Sequence, residues 1–100
     1  MLEILNESNF AKYIQDGLKL VMFGSDICQY CVKEQPVLEE LAEGNINIGK
    51  VDAYKVPKLA QKYNITAFPT FVLFKSGDVA SQFSGFRTKS ELLDTVLKAV

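Results

Sequence analysis

A chain of 100 residues with a formal net charge of −1 and no histidine is sized for one domain and has no general electrostatic attraction to nucleic acid or an anionic membrane. The missing imidazole excludes Ser-His and Cys-His catalysis, and two cysteines supply only half of a four-ligand structural zinc site; a site shared between two chains stays open. No apolar run approaches the roughly 20 residues that span a bilayer, and Met1 to Asn6 lacks the basic and long apolar regions of a signal peptide, so a cytoplasmic location is the default expectation.

The chain reads as alternating strands and helices, with no internal repeat, low-complexity stretch or linker. Leu2 to Leu5 suits a short strand. Ser8 is placed to cap a helix through about Gln15, with Phe10, Tyr13 and Ile14 on one side and Gly17 ending it. Lys19 to Phe23 is apolar after its first residue, as expected of a central strand covered on both faces. A helical pattern then runs to about Glu43, with Cys28, Cys31, Leu38, Leu41 and Ala42 near one face and Pro36 inside it. An interior proline costs about 3 kcal/mol, which leaves open a helix that begins only at Pro36. Ile46 to Ala53 is a strand, and Pro57 opens a short helix through Tyr63 with Leu59, Ala60 and Tyr63 inward. Thr70 to Phe74 and Val79 to about Ser84 form a hairpin around Lys75-Ser76-Gly77-Asp78. Thr88 and Glu91 make a capping box for a last helix whose apolar stripe is Leu92, Leu93, Val96, Leu97 and Val100. The order βαβαβαββα predicts an α/β fold: a mixed central sheet with helices on both faces, parallel through the early crossovers and antiparallel in the late hairpin.

Ser25-Asp26-Ile27-Cys28-Gln29-Tyr30-Cys31 carries the chemistry. It joins a buried strand to a helix, at the carboxyl end of a central strand where α/β sheets place their sites. The first turn of a helix offers unpaired N–H groups and the positive end of the dipole, which stabilise a thiolate. Thiolates are the nucleophiles of disulfide exchange. Cys28, at or before the first turn, is the expected exposed attacker; Cys31, one turn in, is the more buried resolver. A close cysteine pair in a reducing compartment is catalytic or metal-binding sooner than structural.

Taken together, Cys28-Gln29-Tyr30-Cys31, Pro36, Lys50-Val51-Asp52, Phe68-Pro69-Thr70, Phe74 to Val79 and Gly85 make a sequence that resembles the thioredoxin family over almost its whole length. The resemblance implies the thioredoxin fold over a single domain, residues 1–100, and thiol–disulfide exchange on protein disulfides, with no cofactor or metal. It implies a disulfide reductase as the recharging partner, and a monomer is expected. It further implies a cis Phe68–Pro69 bond facing the cysteines, a backbone before Pro69 that pairs with an incoming peptide, and a Gly85 that admits the substrate backbone. Ile27, Gln29, Tyr30, Phe68 and Phe86 complete the expected docking patch. Two other functions stay in view: a redox-inert docking module of the same fold, and a glutathione-dependent glutaredoxin-like enzyme, which a tyrosine before the second cysteine resembles. Against the latter, Thr70 follows Pro69 and no later Gly-Gly pair occurs.

The departures from the family pattern are specific. Gln29-Tyr30 replaces Gly-Pro, Ile27 and Gly24 stand where tryptophans are usual, Val32 replaces a basic residue, and Met22 replaces the buried aspartate of the preceding strand. Met22 can neither take a proton nor pair with a charge. Lys50, matched to the family's lysine near that acid, is thus a candidate catalytic residue without its usual counter-ion. Asp26, Glu34 and Asp52 are the substitutes to consider, beside the simpler reading in which Lys50 only snorkels to solvent.

Overall fold

The computed structural model describes residues 2–100. Nine elements follow in the expected order: β1 (Leu2–Ile4), α1 (Phe10–Ile14), β2 (Leu18–Gly24), α2 (Gln29–Glu43), β3 (Ile48–Asp52), α3 (Pro57–Lys62), β4 (Thr70–Lys75), β5 (Asp78–Ser84) and α4 (Lys89–Lys98). The sheet order is β1-β3-β2-β4-β5. β3 lies parallel to both β1 and β2, and β4 runs antiparallel to β2 and β5. The two middle strands are the apolar runs of the sequence, and their two-residue side-chain period divides them between two cores. Leu20, Met22, Phe71 and Leu73 join Leu38 and Leu41 of α2 and Leu92 and Val96 of α4 in one buried cluster. Val21, Phe23, Val72 and Phe74 face the other way, onto Phe10 and Ile14 of α1, with Leu59 and Tyr63 against them.

α2 is one helix from Gln29, so Pro36 is interior and exposed, and the shorter helix starting at that proline is not formed. Pro36 is tolerated because the ring projects to solvent while Cys31, Leu38 and Leu41 keep one buried face. Three local expectations fail. α1 begins at Phe10, not behind a Ser8 cap. The Asn6 carboxamide oxygen accepts from the Ser8 and Asn9 backbone N–H groups (2.8 and 3.1 Å), and the Ser8 hydroxyl donates to that same oxygen, so asparagine takes the role assigned to serine. The strand expected from Ile46 is regular only from Ile48, after Asn45 at φ 70°. In α4, Leu92 and Val96 are buried, but Leu97 and Val100 are exposed; only the positions directly over the sheet find a partner surface. The Thr88–Glu91 capping box forms with both reciprocal bonds.

Candidate active site

The site is assembled where β2 ends and α2 begins. Cys28 is the N-cap of α2, and its sulfur accepts the backbone N–H of Cys31 at 3.2 Å. The first turn thus aims a donor at the sulfur that would bear negative charge. Cys28 is half-buried and Cys31 buried, and both are free thiols. Burial pushes the Cys31 thiol up to about 12; its hydrogen bond to Cys28 pushes the same way, while a backbone hydrogen bond from Ser25 and the charge of Lys50 oppose the rise. The two sulfurs thereby sit in different environments.

On the outer side, the Phe68–Pro69 bond is cis, and the Pro69 carbonyl accepts the Gly85 N–H at 2.8 Å. Gly85 has φ 97°, a conformation that disfavours any side chain. This bond fastens the loop after β5 to the loop before β4. Ile27 is 83% exposed and Tyr30 59%; Gln29 is exposed too. Phe68 and Phe86 are half-buried. Phe68 packs against the core cluster that includes Cys31 and stands edge-on to the exposed Tyr54, with ring centroids 5.7 Å apart. The Lys33 ammonium lies 4.8 Å from the centre of the Phe86 ring. Tyr54 was not singled out in the sequence; it joins the patch only because the loop after β3 folds back, which no local pattern announces.

Behind the pair lies a cavity of about 630 Å³ whose walls include Met22, Gly24, Cys31, Gln35, Lys50 and Asp52. Gly24 makes room for the Cys31 sulfur: a Cβ at this position would come within 2.6 Å of Cys31 Sγ. Lys50 is half-buried, and its ammonium donates to Gln35 Oε1 at 2.6 Å. None of the three acids considered for it is its partner. Asp52 Oδ1 accepts the Tyr54 and Lys55 backbone N–H groups. Asp26 is exposed at the rim. Glu34 is 0% exposed and turns away: its Oε1 accepts the Arg87 N–H at 2.9 Å, tying α2 to the loop that carries Gly85 and Phe86. Burial raises the Glu34 carboxyl above the usual range, against the Arg87 N–H and guanidinium and with the charge of Glu91. Gln35 was also missed in the sequence, although its spacing of four residues from Cys31 puts it on the same helix face. Among the described residues, no helix is long and apolar enough to cross a membrane.

The family model described as thioredoxin matches residues 1–98. A thioredoxin of Staphylococcus saprophyticus is 37% identical over 97 residues, covering 94% of this chain and 93% of the relative. One of Chlamydia trachomatis is 34% identical over 100 residues, covering 98% of each. Among solved structures, a mutant thioredoxin from Halobacterium salinarum superposes with a TM-score of 0.90 at 26% identity, over 97% of this chain and 88% of that one.

Proposed function

Because this chain belongs to the thioredoxin family and is a thiol–disulfide oxidoreductase, we propose that its site residues divide the work as follows. Cys28 Sγ attacks one sulfur of a protein disulfide, the substrate S–S bond breaks, and the departing substrate thiolate takes up a proton. Cys31 then gives its proton to water and attacks Cys28 Sγ. The Cys28–Cys31 disulfide forms as the mixed disulfide breaks and the second substrate thiol leaves. Two electrons have passed to the substrate, so a reductase must return two to the pair. Lys50 lends its positive charge to the Cys31 thiolate during the second attack.

The observation that carries this reading is the half-exposed N-cap sulfur of Cys28 holding the Cys31 N–H, with the Cys31 thiol buried beneath it. Ile27, Gln29, Tyr30, Phe68, Pro69, Gly85 and Phe86 form the docking surface in this proposal. The backbone before Pro69 pairs with the substrate strand, and the apolar side chains cover its flanks. The protein works as a monomer in the cytoplasm, where reduced thiols are maintained. Reduction of insulin with dithiothreitol as electron source tests the activity. Steady turnover is expected, and a folded protein that gives none is a docking module instead.

A further inference from the structure

The Lys50–Gln35 contact has a third member. Gln35 Nε2 donates to Glu39 Oε2 at 3.0 Å while Gln35 Oε1 accepts from Lys50 at 2.6 Å. Glu39 lies one helical turn beyond Gln35 and is exposed. An amide has one donor end and one acceptor end, so the carboxylate on one side fixes which end faces the lysine. With its NH2 committed to Glu39, the amide must present its oxygen to the ammonium. Polarisation along such a chain strengthens both bonds. We propose that the chain Glu39–Gln35–Lys50 takes over one task of the carboxylate missing at Met22, the holding of the Lys50 ammonium, with Gln35 as the positioning residue that keeps it in the cavity beside Cys31.

Three observations converge on this. Met22 is buried and offers the ammonium nothing. Lys50, Gln35 and Cys31 line the same cavity. Lys50 already opposes the rise of the Cys31 thiol caused by burial, an effect that depends on where the charge is kept. A lysine on a flexible four-carbon stem is otherwise free to reach solvent, where screening removes most of its influence. The amide holds the charge in place without contributing a negative charge of its own beside the thiolate. The carboxylate that orients it stands at the surface, where an ion is well solvated.

The inference rests on the role given to Lys50 above, and the test separates the two. One equivalent of the chromogenic disulfide of thionitrobenzoate reacts in two stages. Attack by Cys28 releases the first thionitrobenzoate, and attack by Cys31 on the mixed disulfide releases the second, so rapid mixing reads both steps in one trace. Gln35→Leu is expected to leave the first phase unchanged. It should slow the second about three- to tenfold at pH 7 and displace its pH profile toward alkali, as expected for a thiolate that loses up to about one pKa unit of stabilisation. Lys50→Met should slow the second phase at least as much. Gln35→Leu added to Lys50→Met should cost nothing more, because the amide acts only through the lysine. An unchanged second phase in Gln35→Leu, or further slowing in the double variant, overturns the role of Gln35. An unchanged second phase in Lys50→Met overturns the role of Lys50 itself. Glu39→Lys, at an exposed position, keeps the test decisive if Gln35→Leu loses its fold. A lysine there donates to the amide oxygen and turns the amide round, so the second phase must slow in it too.

Discussion

The two sides of the Cys28–Cys31 turn are built differently. The outer side is made largely of backbone: a cis peptide bond, a carbonyl and N–H pair between Pro69 and Gly85, a helix N-terminus, and a glycine at positive φ. The inner side is made of side chains, namely Met22, Lys50, Gln35 and the Cys31 thiol, around the space left at Gly24. Backbone recognition tolerates many substrate sequences, because every peptide carries the same N–H and C=O groups. Side-chain chemistry sets the proton and the redox balance, and its parts can be exchanged while the fold is kept. Departures from the family pattern fall on both sides: Ile27, Gln29 and Tyr30 change side chains on the outer one while Pro69 and Gly85 keep its backbone geometry, and Met22 and Gly24 change the inner one.

The largest effect that would break this comparison is in the sulfurs themselves. Cys28→Ser should abolish turnover. Cys31→Ser should cut it on the order of a hundredfold or more while mixed disulfides with substrate accumulate, visible by mass spectrometry, since the first exchange survives and the resolving one does not. Accumulation in Cys28→Ser instead would exchange the two roles. A smaller effect is expected at Gly24. The Cβ of Gly24→Ala would press on Cys31 Sγ in the dithiol, and overpacking of this kind costs about 1–3 kcal/mol. Formation of the disulfide draws that sulfur toward Cys28 and relieves the contact. The potential of the pair should therefore fall by about 20–60 mV, at about 30 mV for each 1.4 kcal/mol, when equilibrated against glutathione. An unchanged potential in a folded variant would mean that the inner cavity yields equally in both states.

The smallest effect lies in Glu34, which joins the two sides. Burial raises its carboxyl, so the native state holds the proton more firmly than the unfolded chain does. The associated stability is complete below the unfolded value of about 4.3 and is lost as pH rises through the higher folded one. A glutamine amide in place of the acid keeps an oxygen for the Arg87 N–H and never ionises. Glu34→Gln should therefore match the parent near pH 4 and exceed it in Tm at pH 7, with turnover preserved. A Tm difference that does not grow with pH would show that the loop is held without regard to the charge on Glu34.

The cis bond before Pro69 and the role of Gly85 were legible only through the resemblance to the family, whereas the cysteine pair at a strand–helix junction and the Thr88–Glu91 box each leave a local mark. The element order was legible for the same reason: Val21 to Phe23 and Phe71 to Phe74 are continuous apolar runs bounded by turn residues. The inner side was not, because its key contact joins residues on different elements, Gln35 on α2 and Lys50 on β3. For Lys50 the sequence leaves open a substitute acid or a side chain that only reaches solvent; the contact found is with neither, but with the amide oxygen of Gln35. Ser8 failed as a cap for a local reason, since its hydroxyl donates to the Asn6 carboxamide and the Phe10 N–H is taken by the Asn6 carbonyl. Leu97 belongs to the periodic stripe of α4 and still faces solvent, because periodicity marks a face but not where the covering surface ends.

Pro36 has a further consequence for how the active site breathes. Its ring nitrogen has no hydrogen, so the Val32 carbonyl is denied the helical donor four residues on. The ladder of α2 is thinned between the turn that bears the cysteines and the turns that bear Leu38 and Leu41. The later turns are locked to the sheet and α4 through that buried pair. The first turns reach the same cluster only through Cys31, and are held besides by the Cys28 cap and by the Glu34 bond to Arg87. The missing bond marks the one place in α2 where the ladder is interrupted, so hydrogen exchange is expected to find the amides of the opening turns less protected than those around Leu38 and Leu41.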